Sequence, residues 1–409
     1  MQTLLTNAVI VDSSDPEPRS GNILIEDGVI REIGRAKSST TDCRTIDVEG
    51  RTVIPGLIDC HVHVVASMMD LAMNAQLPAP LAVLRAARIM EGMLQRGFTT
   101  VRDLGGASFA LAEAVAQGLT PGPRLIVCGR ALSKTGGHSD CRPRYDTFDA
   151  NRWAGNVGAL GCIADGVDEV RRACRQQLRS GASFIKVMAN GGVASPTDPV
   201  NWLGYSVDEL KAAVEEARDA KTYVAAHLYT AEGIERAVQC GVHSLEHCNL
   251  IDGHAAKLAA DAGAVAVPTL VTYEALAEDG PALGLPAASV AKIDTVRRAG
   301  MESLAILRDA GVAMAFGTDL LGETHKRQSE EFRIRAQVLS AAEIFAGATT
   351  VGAKLVGMEG RLGIIAEGAI ADLLVVDGSP LEDIRILSDP ARHLRLVMKE
   401  GVIYHRSSL

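Results

Sequence analysis

The pattern of apolar and polar positions changes character twice along the chain. Near the N-terminus, TLLTNAVIVD, GNILIEDGVIREIG and RTIDVEG alternate short apolar runs with turn signals, and Asp27-Gly28 sits where a hairpin would turn. The C-terminal segments GRLGIIAEGAIADLLVVDG and LRLVMKEGVIYH have the same β-rich rhythm. Neither end is long enough to bury a sheet alone. Residues 1–54 and 359–409 are therefore expected to combine into one small β-sandwich, since the two ends of a domain can lie close together. Between them, over residues 55–358, short apolar strands alternate with helical patterns such as VDELKAAVEEARDA and AEGIERAVQCG. Eight strands are predicted: 57–62, 98–103, 124–130, 183–188, 222–227, 243–247, 264–269 and 312–319. Eight βα units make this an α/β protein with a (β/α)₈ TIM-like barrel; on periodicity alone, a doubly wound open sheet is the rival.

Composition narrows the class. The 409 residues are 47% hydrophobic, enough for a large core and incompatible with a disordered chain. A formal net charge of -9 argues against nucleic acid or an anionic membrane as partner. No basic segment leads into a long apolar run at the start, and no run of about 18 apolar residues occurs elsewhere, so neither a signal peptide nor a membrane span is expected. The eight cysteines are scattered without a CxxC pair, as in reduced cytoplasmic proteins. An assembly of identical chains is expected for a barrel of this size.

The chemistry gathers at the strand ends, where a (β/α)₈ barrel carries its active site. The first predicted strand ends in His61-Val62-His63, the fourth carries Lys186, the fifth ends in His227, the sixth in His247 and the eighth in Asp319. Alternate residues of a strand share a face, so His61 and His63 can aim at one metal. Imidazole and carboxylate suit zinc and related divalent ions. Lys186 lies in the apolar run FIKVMA, where an unpaired ammonium is costly. Two explanations stand open: a salt bridge to a core acid, or a lysine of depressed pKa that takes up CO₂ to give a carbamate bridging two metals.

These segments, VIPGLIDCHVHV, the strand-borne Lys186, His227, His247 and GTD ending in Asp319, resemble the amidohydrolase superfamily in its binuclear form. Further segments, GRALSKTGGHSD, IKVMANGGVASPTDP, HLYT, EHCNLID and GTDLLGE, resemble the prolidase-like dipeptidases and metal-dependent carboxypeptidases related to imidazolonepropionase. The resemblance implies that His61, His63 and Asp319 hold a more buried metal and that His227 and His247 hold a more exposed one. Carboxylated Lys186 would bridge the two ions, with zinc the first choice over Mn, Co and Fe.

The expected mechanism follows from such a site. A water between two cations ionises near neutral pH and attacks the amide carbonyl, with Asp319 as base and later as acid to the leaving amine. His138, in TGGHSD after the third strand, and Tyr229, two residues beyond His227, are candidate donors to the oxyanion. His243, His254 and His325 are expected not to be ligands. A dipeptide (Xaa-Pro or Xaa-hydrophobic) or an N-acyl amino acid is the expected small-molecule substrate. Its carboxylate would go to the glycine-rich loop 190–199, or to Arg142 or Arg144 if these are not simply in solvent. Alternatives are an amidase for a bulky, ochratoxin-like N-acyl amino acid, a single-metal cyclic-amide hydrolase or deaminase that would not need Lys186, and a non-catalytic metal-binding protein.

Overall fold

The computed structural model describes residues 2–37, 42–193, 198–280, 282 and 287–407. Eight short parallel strands, each short enough to be crossed by a few inward side chains, form the centre. Leu57–Val62, Phe98–Asp103 and Arg124–Val127 pair in sequence, and Ile185–Met188, Val224–Thr230, Ser244–Leu250, Val265–Val267 and Ala313–Met314 pair in sequence. Both seams between these sets are hydrogen-bonded. Ser183 N donates to Val127 O (2.7 Å), and Cys60 N donates to Phe316 O (2.7 Å). The sheet thus returns on itself, as in a (β/α)₈ barrel, and does not stay open at two edges. Helices such as Val207–Asp219 and Ala231–Cys240 connect the strands, the first opened by a capping box from Ser206 and Glu209, the second closed by Gly241 at φ 94°.

Several strands differ from the expected limits, and two of the differences shape the site. The third stops at Val127, and a further short strand, Ala131–Ser133, pairs with Ile185–Met188. The last is regular only over Ala313–Met314; beyond it the backbone leans on the first strand, with Asp319 N donating to His61 O (2.8 Å). That contact places the last ligand candidate beside the first.

A second, eight-stranded sheet draws on both chain ends. Its order runs Val402–Arg406, Leu394–Lys399, Leu373–Val376, Thr52–Pro55, Gln2–Asp12, Asp15–Glu26 and Val29–Gly34, with Cys43–Asp47 also paired to the Gln2–Asp12 strand. The expected hairpin is present: Glu26 faces Val29, and Asp27 and Gly28 both take positive φ (49° and 77°). Leu5, Ile23, Val53, Leu373 and Leu396 form its own buried core, the two ends contributing together to the expected β-sandwich. Among the described residues no helix is long and apolar enough to cross a membrane. All eight cysteines are unpaired thiols.

Candidate metal centre

Four imidazoles converge at the barrel mouth. The ring centroids of His61 and His247 are 4.8 Å apart, those of His227 and His247 4.6 Å, and those of His61 and His63 5.5 Å. Asp319 Oδ1 lies 3.4 Å from His61 Nε2 and 3.2 Å from His63 Nε2, and its other oxygen is 4.0 Å from His247 Nδ1. His61, His247 and Asp319 offer ligand atoms all within 4.8 Å of one another.

Local backbone geometry aims these groups. Strand alternation alone would send Glu246 and His247 to opposite faces. His247 takes φ 70° and Cys248 φ 59°, so both Glu246 and His247 contact His61 inside the barrel. Asp319 also takes positive φ, at 53°. Left-handed backbone at three such non-glycine residues is strain of a kind that collects at functional sites.

Hydrogen bonds fix which ring nitrogen faces the cluster. His61 Nδ1 is 2.8 Å from Glu246 Oε2 and His63 Nδ1 is 2.9 Å from Gly105 O. Both partners are acceptors, so each Nδ1 carries a proton and each Nε2 is turned to Asp319. His227 is held the other way round, its Nε2 3.2 Å from Gly191 O, which leaves Nδ1 unprotonated. Thr269 Oγ1 lies 2.8 Å from His247 Nδ1. Burial, with neighbouring histidines and Lys186, drives His227 and His247 well below the usual imidazole range, so both stay neutral. Burial alone would raise Asp319, but His61 and His63 outweigh it and keep the carboxylate ionised. Four imidazoles of fixed orientation, two of them held neutral, around an ionised carboxylate are a donor set that fits a divalent cation.

Lys186 completes the floor. It is 1% exposed, and among the described residues no carboxylate or carbonyl pairs with its ammonium. The salt-bridge explanation thus finds no partner. Burial lowers its pKa, against weaker opposing effects of Glu246 and Asp319, and so favours the neutral amine.

Sequence reasoning missed what lies beneath. Glu246 accepts from His61, from Arg102 Nη2 (2.8 Å) and from Ser244 Oγ (2.7 Å), all fully buried. Burial would raise Glu246, but Arg102 and the His61 bond hold it far below the ordinary carboxylate range. A charged residue inside an apolar strand singled out Lys186; the same signal in FTTVRD and HSLEH points to Arg102 and Glu246.

The other candidates are placed as follows. His138 lines the cavity, stacked on His227 at 4.1 Å, with Nδ1 3.4 Å from Asp198 Oδ2. Tyr229 lies behind the ligands: its ring stacks on His247 at 5.3 Å and its hydroxyl bonds Tyr273 (2.9 Å). Arg142 reaches the cavity but is engaged by Asp140, and Arg144 is exposed. In loop 190–199, residues 194–197 lie outside the described residues, and the Gly192 amide donates to Asp198 (3.0 Å). His254 is exposed, His243 packs on Tyr223, and His325 Nε2 donates to Ala66 O (3.0 Å), so none joins the cluster.

A cavity of about 360 Å³ opens over this floor and reaches from His61, Lys186 and Asp319 to Leu71, Trp153 and Leu160. The profile of the amidohydrolase family matches residues 52–404. The chain belongs to the amidohydrolase family. Ochratoxinase of Aspergillus niger is 33% identical to this amidohydrolase over 414 aligned residues, covering 95% of the chain and 84% of the relative. A prolidase solved with N-methylphosphonate-L-proline is 48% identical, covers 100% of both chains and superposes with a TM-score of 0.97. A Xaa-Pro dipeptidase solved with methionine in its active site is 30% identical, with 99% of this amidohydrolase and 100% of that chain covered and a TM-score of 0.87. The amidohydrolase is therefore similar to prolidase-like dipeptidases, and acts on C–N bonds as its family does.

Proposed function

We propose that this amidohydrolase is a binuclear metal-dependent dipeptidase that hydrolyses Xaa-Pro or Xaa-hydrophobic dipeptides and related N-acyl amino acids. The observation that carries the proposal is Lys186: a buried amine that makes no ion pair with a carboxylate among the described residues, on the cavity floor with the four histidines and Asp319. As a free ammonium it is destabilising; as a carbamate, formed from the neutral amine and CO₂ with loss of a proton, it becomes a bidentate anion. His61, His63 and Asp319 would hold one ion, His227 and His247 the second, and carboxylated Lys186 would join them, with zinc the expected metal. Such ions supply an acidified water and Lewis-acid polarisation of the amide carbonyl.

The chain's own groups do the rest. Asp319 takes the proton of the attacking water and returns it to the leaving amine. His138, on the cavity wall, donates to the carbonyl oxygen as negative charge develops there. Tyr229 joins it by turning its hydroxyl from Tyr273 towards that oxygen. The solved prolidase with a phosphonate-proline ligand, alike over its whole length, supports a C-terminal proline or apolar residue in the substrate.

A dipeptide library assayed with metal-analysed protein tests this. Free C-terminal amino acid released from Xaa-Pro or Xaa-hydrophobic dipeptides, with about two metals per chain, is the expected result. No release at full metal loading would reject it. A second reading, hydrolysis of a bulky N-acyl amino acid, is favoured by the apolar outer wall of the cavity and by the likeness to ochratoxinase.

A further inference from the structure

The cavity has two unlike walls. Its floor is the polar cluster. Its outer wall is built by the helix Leu71–Ala75 and by residues 150–160, which present Leu71, Ala72, Ala75, Ala150, Trp153 and Leu160. Two arginines and two acids border this wall, but they cancel in pairs. Arg142 grips Asp140 through Nε (2.8 Å) and Nη2 (2.7 Å). Arg152 grips Asp146 through Nη1 (2.9 Å) and Nη2. Both are fork-to-fork pairs, which use the carboxylate-binding edge of each guanidinium. Arg152 also lies 5.2 Å over the Phe148 ring and 5.9 Å over the Trp153 ring, which fixes the indole against the cavity. Among the described residues, the only other lysine or arginine on the cavity is Lys186, at the floor.

We propose that this wall is the subsite for the acyl-side residue of the substrate, that it takes an uncharged apolar or aromatic group, and that Trp153 is its principal contact. The inference rests on the amide-hydrolase reading above. The leaving residue carries a carboxylate and needs a cation, and both arginines at this wall already grip an acid, so the acyl half occupies it. An apolar side chain gains by leaving water for the indole and Leu71. A charged one loses hydration there and finds its potential partners already paired.

The test measures kcat and KM of metal-loaded protein on Xaa-Pro dipeptides with Gly, Leu, Phe, Glu and Lys at the first position. Leu-Pro and Phe-Pro are expected to exceed Glu-Pro and Lys-Pro. Trp153→Ala is expected to lower the Leu-Pro to Gly-Pro ratio of kcat/KM on the order of tenfold, mainly through KM. Asp146→Asn leaves Arg152 without its carboxylate and is expected to raise the Glu-Pro to Leu-Pro ratio. Equal use of charged and apolar first residues, or a Trp153→Ala loss shared by all substrates, would overturn the subsite. Calorimetric binding of N-acetyl-, N-benzoyl- and N-succinyl-proline needs no turnover and separates the two claims. Absence of peptide cleavage would reject the dipeptidase reading. Tighter binding of the benzoyl compound by wild type than by Trp153→Ala would still uphold the subsite, and equal affinities for all three compounds would overturn it.

Discussion

Replacing Glu246 by Gln removes one charge from the centre of the barrel and keeps the side chain's size. Its carboxylate is 0% exposed and accepts from three donors: His61 Nδ1 at 2.8 Å, Arg102 Nη2 at 2.8 Å and Ser244 Oγ at 2.7 Å. Glutamine offers one oxygen and one NH₂. Whichever way it turns, the NH₂ meets a donor, either the His61 N–H or the Arg102 and Ser244 pair. Two separable losses follow. Arg102, also 0% exposed, keeps its bonds to Cys60 O (2.7 Å) and Tyr223 (3.2 Å) but loses its counter-ion. Breaking such a buried pair costs about 3–5 kcal/mol of stability. His61 loses the acceptor that fixes its tautomer and ring angle, for which a 10–100-fold weaker metal affinity is the usual order, roughly 1.4–2.7 kcal/mol. The assay is twofold: the denaturant midpoint of the chelator-treated protein, and metal affinity by competition with a chromophoric chelator. Adding Arg102→Met to Glu246→Gln should recover part of the stability, because no unpaired charge remains, without restoring the metal affinity. A Glu246→Gln protein with native midpoint and native affinity would refute the reasoning.

Four other outcomes are expected. Lys186→Met should lose metal and activity yet make the metal-free protein about 1–3 kcal/mol more stable at pH 7, since an unpaired buried amine is replaced by an apolar chain; a less stable metal-free variant would contradict this. In Lys186→Ala, a short carboxylic acid with bicarbonate should restore part of the activity, and full activity without it would sink the bridging role. Burial holds His325 down at about 4, so the unfolded chain takes up its proton first as pH falls below the ordinary imidazole value of 6.5. Its contribution is therefore present above that value and lost towards the folded one, and His325→Gln should flatten the stability decline between pH 6.5 and 5 by about 2 kcal/mol, read from denaturation midpoints at each pH. A Cβ at Gly192 would sit 1.8 Å from His138 Cε1, so Gly192→Ala should displace that ring and reproduce the kcat loss of His138→Ala; native kcat in the first variant would exclude the expected displacement.

Much of the fold was legible because the barrel strands are short, apolar and bounded by turn residues. The first two strands have the predicted limits, 57–62 and 98–103. The limits failed where the backbone leaves regular geometry for the site's sake. The sixth strand runs on to Leu250 through left-handed His247 and Cys248, and the last keeps only Ala313–Met314 before bending to bring Asp319 to His61. The ligand candidates were visible as polar residues ending apolar runs. Arg102 and Glu246 carry the same signal as Lys186, a charge inside an apolar strand, but their pairing across 144 residues exists only in the folded barrel. Strand spacing places Tyr229 beside His227, where it is found, and the bond of its hydroxyl to Tyr273 is a contact that only the folded barrel creates.

The measurement closest to the central claim is an anomalous-scattering crystal structure of the metal-loaded protein. Two ions are expected, one among His61, His63 and Asp319, the other between His227 and His247, with extra density on Lys186 Nζ for a carbamate that reaches both. A single ion, with Lys186 a bare amine, would contradict the binuclear amide-hydrolase account and return the site to the single-metal members of its family.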